Sequence, residues 1–452
     1  MFDNRLLKDV YLGLCFVMVF NSFNILSSVQ KTMTASIEKD NPSVHLDGYI
    51  SLGIVYTALS FGMWLSPGII AKTGPKYAMI IGTSFYFLYM FSFFTEQSLW
   101  IYLGAGICGF GGSLLWTGQA NYIVLNSEIG KVYSGIGVFW ILYQSSHFFG
   151  NMIIYFQFND IHRSVDRSMR TRIVFTLLGF VVVAILMMLG IRPPLRHNDQ
   201  QKIARSPGNE ILKASKILIT PQMLMLIATM ITTGIHLTFM SILSASMSFS
   251  KYLSDNSKEL APLCGIVQGF GEISGGILSI VVGGRKICKL RPMISLALIC
   301  NLISYTITFL ALPNNAARFY TDDLPIMPLP SWLLVIGAVL SGTGDACLHT
   351  EMYDNLGAMY PNDSASAFAV FKFIRSIATG GSFYYGKYLG LYAQLVILVV
   401  LNVLSWILYH YVQWFMFASS SAIANPPEQV IDTSNSNKAK CEMEMDRKTC
   451  PE

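Results

Sequence analysis

Charge is scarce in this sequence. Asp, Glu, Lys and Arg together make up 13 % of its 452 residues. A soluble chain carries roughly 25 %, so the shortage excludes the two or three soluble domains that this length would otherwise suggest. Basic blocks are missing as well. The net charge of +5 is spread over the polar segments, which excludes a nucleic-acid footprint, and no nucleic-acid partner is expected. The eight cysteines include no Cys-x-x-Cys pair and have no His cluster beside them, so neither a metal nor a thiol redox motif is expected. Ser/His/Asp triads and phosphate-cradling glycine loops are also lacking. The chain therefore reads as a non-enzyme without cofactors. Its first apolar stretch has no small-residue cleavage site and reads as a first helix that stays.

What the sequence has in abundance is apolar length. Hydrophobic residues are 53 % of the chain and the mean hydropathy is +0.48. A membrane-spanning helix needs ~20 mostly apolar residues to cross a hydrocarbon core ~30 Å thick. Runs of that kind lie at 10–29, 48–71, 76–95, 99–125, 132–157 and 171–191, and again at 221–249, 261–283, 292–312, 331–352, 365–388 and 393–417. The fold class expected is an all-α integral membrane bundle of about twelve transmembrane helices in two pseudo-symmetric six-helix halves. Its parts are an N-terminal half (1–191), a cytosolic linker (192–220), a C-terminal half (221–417) and a disordered cytosolic tail (418–452). With the N-terminus in the cytosol, nineteen Lys and Arg fall inside and ten outside. That asymmetry predicts both termini in the cytosol of a multi-pass protein, although the Arg-rich segment before 171 runs against it. The sequon at Asn362 then lies in the cytosol and is expected to carry no glycan.

The halves echo each other, as internal repeats of transporters do. The second run ends in Pro67-Gly68-Ile69-Ile70-Ala71-Lys72-Thr73-Gly74-Pro75-Lys76, and the eighth in Gly283-Gly284-Arg285-Lys286. Six plus six helices with a basic turn at these two places resembles the major facilitator superfamily. Gly74 and Lys76 fit the signature turn of that superfamily, with Lys72 at its Arg position and Gly68 beside them. Ala71 stands where the signature has Asp, the residue of the gate's charge relay, and this departure points away from an ordinary gate. A narrower resemblance rests on Trp116-Thr117-Gly118-Gln119-Ala120-Asn121-Tyr122, Phe139-Trp140, Gln144-Ser145-Ser146 and Gly150-Asn151. It continues in Gly344-Asp345-Ala346 and Ala367-Phe368-Ala369-Val370-Phe371-Lys372-Phe373. On these segments the chain is similar to the Unc-ninety-three-like family. That resemblance implies a transporter-like fold and leaves two jobs open. One is carriage of a small solute or proton; the other is service as an accessory subunit of a channel or an escort of a receptor, in the plasma or an endosomal membrane.

Ionisable residues inside the runs single themselves out, because each costs ~2.5–3.5 kcal/mol at the centre of a membrane helix. They are His147, His236, Glu272, Asp345, His349, Glu351, Lys372 and Arg375. Asp345 and His349, four apart, share one helix face and suit a proton relay. The blander alternative is that Asp345 neutralises Lys372 or Arg375 on the next helix. By the superfamily resemblance, the first, fourth, seventh and tenth runs line a central cavity. Cavity or coupling candidates are then Asn21, Asn24, Gln119, Asn121, His236, Asp345 and His349, joined by the ionisable Glu272 of the eighth run, with helix-to-helix hydrogen bonding as the structural alternative. The glycines at 104–112 and 265–276 read as close helix crossings.

Overall fold

A computed structural model describes residues 4–126, 132–159, 166–192, 207–253, 260–282, 292–360 and 363–424. Among these residues there are thirteen α-helices and no strand longer than an isolated Ser250–Thr321 bridge. The first half holds α1 (Asn4–Asp40), α2 (Gly48–Thr73), α3 (Pro75–Ser92), α4 (Ser98–Asn126), α5 (Val132–Asn159) and α6 (Arg167–Leu189). A short α7 (Pro207–Leu218) follows. The second half holds α8 (Pro221–Phe249), α9 (Leu260–Val282), α10 (Pro292–Ala311), α11 (Ser331–Met359), α12 (Ser364–Gly386) and α13 (Leu391–Ala424).

Nine of these helices are long and apolar enough to cross a membrane among the described residues: α1 to α4, α6, α8, α10, α11 and α13. The other three long helices, α5, α9 and α12, run for 28, 23 and 23 residues. At 1.5 Å per residue they reach about 35–42 Å, which also spans the hydrocarbon core. α5 lies against α1 and α9, and α12 against α2 and α8.

Packing follows a pseudo-two-fold rule. In the first half α4 packs on α2 and α3, and α1 on α5 and α6; in the second, α11 packs on α9 and α10, and α8 on α12 and α13. The halves meet where α2 lies along α12 and α5 along α9, again a symmetric pair. Glycines make the tightest crossings possible. A Cβ on Gly109 of α4 would collide with the Val55 carbonyl of α2, and one on Gly342 of α11 with the Gln268 carbonyl of α9. At Gly74 the reason is different. Its φ of +79° turns the chain from α2 straight into Pro75 at the start of α3, a backbone state that side chains disfavour.

Polar residues near the helix ends fix the two faces of the bundle. On the face where α1 begins, Lys76 donates to the Leu189 carbonyl at 2.7 Å and satisfies one of the open acceptors at the α6 C-terminus. On the far face, Asp47 caps α2 by accepting from Tyr49 N and Ile50 N and pairs with Lys31 at 2.6 Å. There too, Arg170 of α6 is 3 % exposed. It donates to Asp40 at 2.7 Å, Glu96 at 3.0 Å and Ser36 at 2.6 Å, tying α6 to α1 and to the turn after α3.

Three boundaries differ from the sequence reading. The first helix does not stop near residue 29; it continues to Asp40, because Gln30, Thr32 and Thr34 are at most 2 % exposed and Gln30 donates to the Tyr89 hydroxyl of α3 at 2.8 Å. Part of the 192–220 segment is the helix α7, whose Ala214 and Ile217 join the apolar core of the second half. Lys213 pairs with Asp363 at the start of α12 at 2.8 Å. The last helix runs through 418–424, taking in the start of the proposed tail. Asn362, the Gly283–Lys286 echo and residues 425–452 lie outside the described residues.

Candidate functional site

Most of the ionisable residues picked out in the apolar runs gather at the seam between the halves, chiefly from the second half; Glu351 instead accepts from the Tyr409 hydroxyl of α13 at 2.9 Å. Asp345 of α11 is 4 % exposed and Glu272 of α9 is 2 % exposed. One turn along α11, His349 Nδ1 lies 3.4 Å from Asp345 Oδ2. Asp345 Oδ1 and Glu272 Oε2 are buried with no hydrogen-bond partner, and so is Arg375 Nε of α12. Glu272 lies within electrostatic range of both Asp345 and Arg375, and Asp345 within range of His236, His349 and Arg375. The field of Asp345 also reaches His147 of α5.

The first half answers this charge with aromatic rings. Trp116 of α4 packs against Phe16 and Phe20 of α1 and against Phe139 and Tyr143 of α5, at centroid distances of 5.0–6.4 Å. Lys372 of α12 reaches across the seam and sets its ammonium 3.9 Å from the Trp116 ring centroid, a cation–π contact. Asp345 and Arg375 lie within electrostatic range of Tyr143 and Tyr56, both in the first half. On the far-face side of this site the seam is shut. Tyr49 donates to the Ala317 carbonyl at 2.9 Å, Tyr56 stacks on Phe383, and Ser27 of α1 meets Ser241 of α8 at 2.9 Å.

The cavity candidates fall into distinct groups. Asp345, His349 and Glu272 stand at the seam. His236 is fully buried, but its Nε2 donates to the Ser341 carbonyl at 3.1 Å and its Nδ1 shares a bond with the Tyr305 hydroxyl at 2.6 Å, so both nitrogens knit α8 to α10 and α11. Asn24 donates to Ser146 at 3.0 Å and joins α1 to α5. Asn21 and Gln119 are buried, Asn21 with an unpartnered Oδ1, whereas Asn121 is exposed near the end of α4. Direct pairing of Asp345 with Lys372 or Arg375 is not found. The ion-pair contact of Asp345 is His349, Lys372 is turned to Trp116, and Arg375 acts on Asp345 through space. Among the basic-turn residues, Lys72 is exposed, Gly68 lies within α2, Gly74 makes the turn, and Lys76 holds α6.

Two features had little signal in sequence. Arg170 reads there as a loop cation, because its partners are 130 and 74 residues away. The aromatic cluster around Trp116 draws on three helices and shows no local pattern. Outside the spans, hydrogen bonds from Asn315 and Thr321 hold the Asp323 carboxyl below the ordinary carboxylate range. The apolar groove between α3 and α6, lined by Phe85, Phe87, Leu88, Val182, Ile185 and Leu186, lies away from the charged seam on the outer surface.

The family model described as "Ion channel regulatory protein UNC-93" matches residues 40–409. The chain belongs to the UNC-93 family. This UNC-93 member is 30 % identical to UNC93-like protein MFSD11 of Xenopus laevis over 91 % of its own length and 97 % of that protein. It is 22 % identical to UNC93-like protein 3 of Arabidopsis thaliana, over 87 % and 83 % of the two chains. In three dimensions it resembles the nucleoside transporter NupG, with a TM-score of 0.61 and 13 % identity over 92 % of this chain and 99 % of that one. It also resembles the peptide transporter POT, with a TM-score of 0.62 and 11 % identity over 91 % and 94 %. At these identities the likeness establishes the fold, which is that of the major facilitator transporters. The UNC-93 chain is thus a multi-pass membrane protein, and its aromatic–charged seam lies where the two halves of a transporter fold meet.

Proposed function

We propose that this protein carries a small solute across its membrane through the seam between the six-helix halves, without enzymatic chemistry. The observation that supports this reading is the pair of buried, unpartnered carboxylate oxygens, Asp345 Oδ1 and Glu272 Oε2, set beside Arg375 in the seam. Buried charges are expensive in a membrane and persist where a ligand, an ion or a conformational change meets them. In alternating access the halves rock about such a site, so far-face contacts such as Ser27–Ser241 must part during the cycle. Asp345 with His349 then offers a proton-coupling group, and the termini face the cytosol of the plasma or an endosomal membrane.

The test is a reversible lock. The Ser27 and Ser241 hydroxyls are 2.9 Å apart, close enough for the doubly substituted S27C/S241C protein to form a disulfide. Oxidation is expected to stop solute uptake into proteoliposomes, and reduction to restore it. Uptake that continues unchanged with the disulfide formed would overturn the rocking carrier.

The family description favours a second reading, an accessory role beside an ion channel. The assembly surface would then be an outer one, such as the exposed Val396, Val400, Ile407 and Trp414 of α13. Native co-purification in mild detergent decides it: a channel held in stoichiometric amount supports the accessory role, and a partner-free protein counts against it.

A further inference from the structure

We infer that the seam binds a small zwitterion, a molecule with one ammonium and one carboxylate group. The inference rests on the carrier reading and specifies its substrate class. Three buried polar atoms in mutual electrostatic range lack partners: the acceptors Asp345 Oδ1 and Glu272 Oε2, and the donor Arg375 Nε. The two carboxylate residues are at least 96 % buried. Water is therefore a poor partner for them, and an unpaired buried charge is strongly disfavoured. A ligand that answers all three must bring donors to one side and acceptors to the other.

Charge balance narrows the choice. The seam holds two acidic groups, Asp345 and Glu272, and two basic groups, Lys372 and Arg375, with His147, His236 and His349 around them. A purely cationic or anionic solute brings a net charge into this buried seam, in a medium that penalises it. A net-neutral zwitterion does not. The groups are also sorted in space: the acids stand on α9 and α11, the bases on α12. A ligand ammonium placed toward Asp345 and Glu272 leaves its carboxylate toward Arg375, where a guanidinium forms forked hydrogen bonds.

The aromatic face accounts for the rest of the molecule. Trp116 and Tyr143, set edge to face, are partly exposed and offer apolar ring surface to the carbon skeleton of the ligand. Lys372 reaches across the seam and rests on Trp116, covering a ring that the ligand body would take over. Its withdrawal brings a second cation to the ligand carboxylate.

The proposal is tested with matched molecules on the purified full-length protein in nanodiscs. The probes are glycine, L-leucine and L-phenylalanine, each with the amine that lacks the carboxylate and the acid that lacks the amine. Binding is read by thermal shift and equilibrium competition. At least one amino acid is expected to bind saturably, with its amine and acid analogues each at least tenfold weaker. E272Q should weaken the amino acid about tenfold while leaving the acid analogue unchanged, and R375Q should spare the amine analogue instead. The comparison on unaltered protein stands even where a variant fails to fold. An amine or acid that binds as tightly as its amino acid, or the absence of saturable binding by all three, overturns the proposal. Binding without uptake into proteoliposomes upholds the zwitterion site and overturns the carrier reading; uptake of a simple cation or anion does the reverse.

Discussion

Replacing Arg170 by alanine removes the cation that joins α6 to α1 and to the turn at Glu96, and the structure sets the size of the effect. The guanidinium makes hydrogen bonds to Asp40 at 2.7 Å, to Glu96 at 3.0 and 3.1 Å, and to Ser36 at 2.6 Å. Breaking a fully buried ion pair costs about 3–5 kcal/mol. Here the arginine side chain is 4 % exposed, whereas Asp40 is 52 % and Glu96 27 % exposed, so both carboxylates regain water once the arginine is gone. Screening of such partners lowers the figure, and a loss of about 2–3 kcal/mol is expected. R170K keeps the charge but loses the fork, and should fall about 1–2 kcal/mol short of the parent. The assay is unfolding in mixed micelles, followed with a thiol-reactive dye. Cys15, Cys108, Cys264, Cys300 and Cys347 are free and buried, so the dye reports loss of the bundle. A double-mutant cycle with E96Q should show coupling, the pair losing less than the sum of the two singles. An R170A protein that unfolds within 0.5 kcal/mol of the parent (about the range of ordinary surface changes) would refute the reasoning.

Three further outcomes follow from packing and hydrogen bonding. G109A drives a methyl into the Val55 carbonyl and should destabilise by about 1–3 kcal/mol, whereas G276A, with nothing within 4 Å of the new carbon, should be neutral or slightly stabilising; equal midpoints in the same titration would contradict the crossing geometry. H236A leaves the Tyr305 hydroxyl and Ser341 carbonyl without their partner, at about 1–3 kcal/mol for each group so stranded, and it should depress thermal stability more than E272Q does. W116L and K372M should couple by about 0.5–2 kcal/mol in a stability cycle, and additive effects would mean that the contact across the seam contributes nothing.

The sequence by itself determined the solvent, the number of long helices and their repeat. Those properties are local sums: ~20 apolar residues make a span wherever they occur, and Gly74 followed by Pro75 makes a turn whatever lies beyond it. For the same reason Glu272, Asp345, His349, Lys372 and Arg375 were legible as candidates, since a charge in an apolar run is conspicuous without any structure. Local sums fail where polarity is met at a distance. Gln30 looks like the end of α1 and instead lies within it, because its amide donates to Tyr89, 59 residues away on α3. His236 looks like a ligand until Tyr305 and Ser341 take both of its nitrogens. Lys372 looks like the mate of Asp345, yet it crosses to Trp116, 256 residues away in the other half. Arg170 looks like a loop cation and proves to be buried among three acceptors. Which residues are charged was written in the sequence; which of those charges are answered, and by whom, was decided only when the two halves closed on one another.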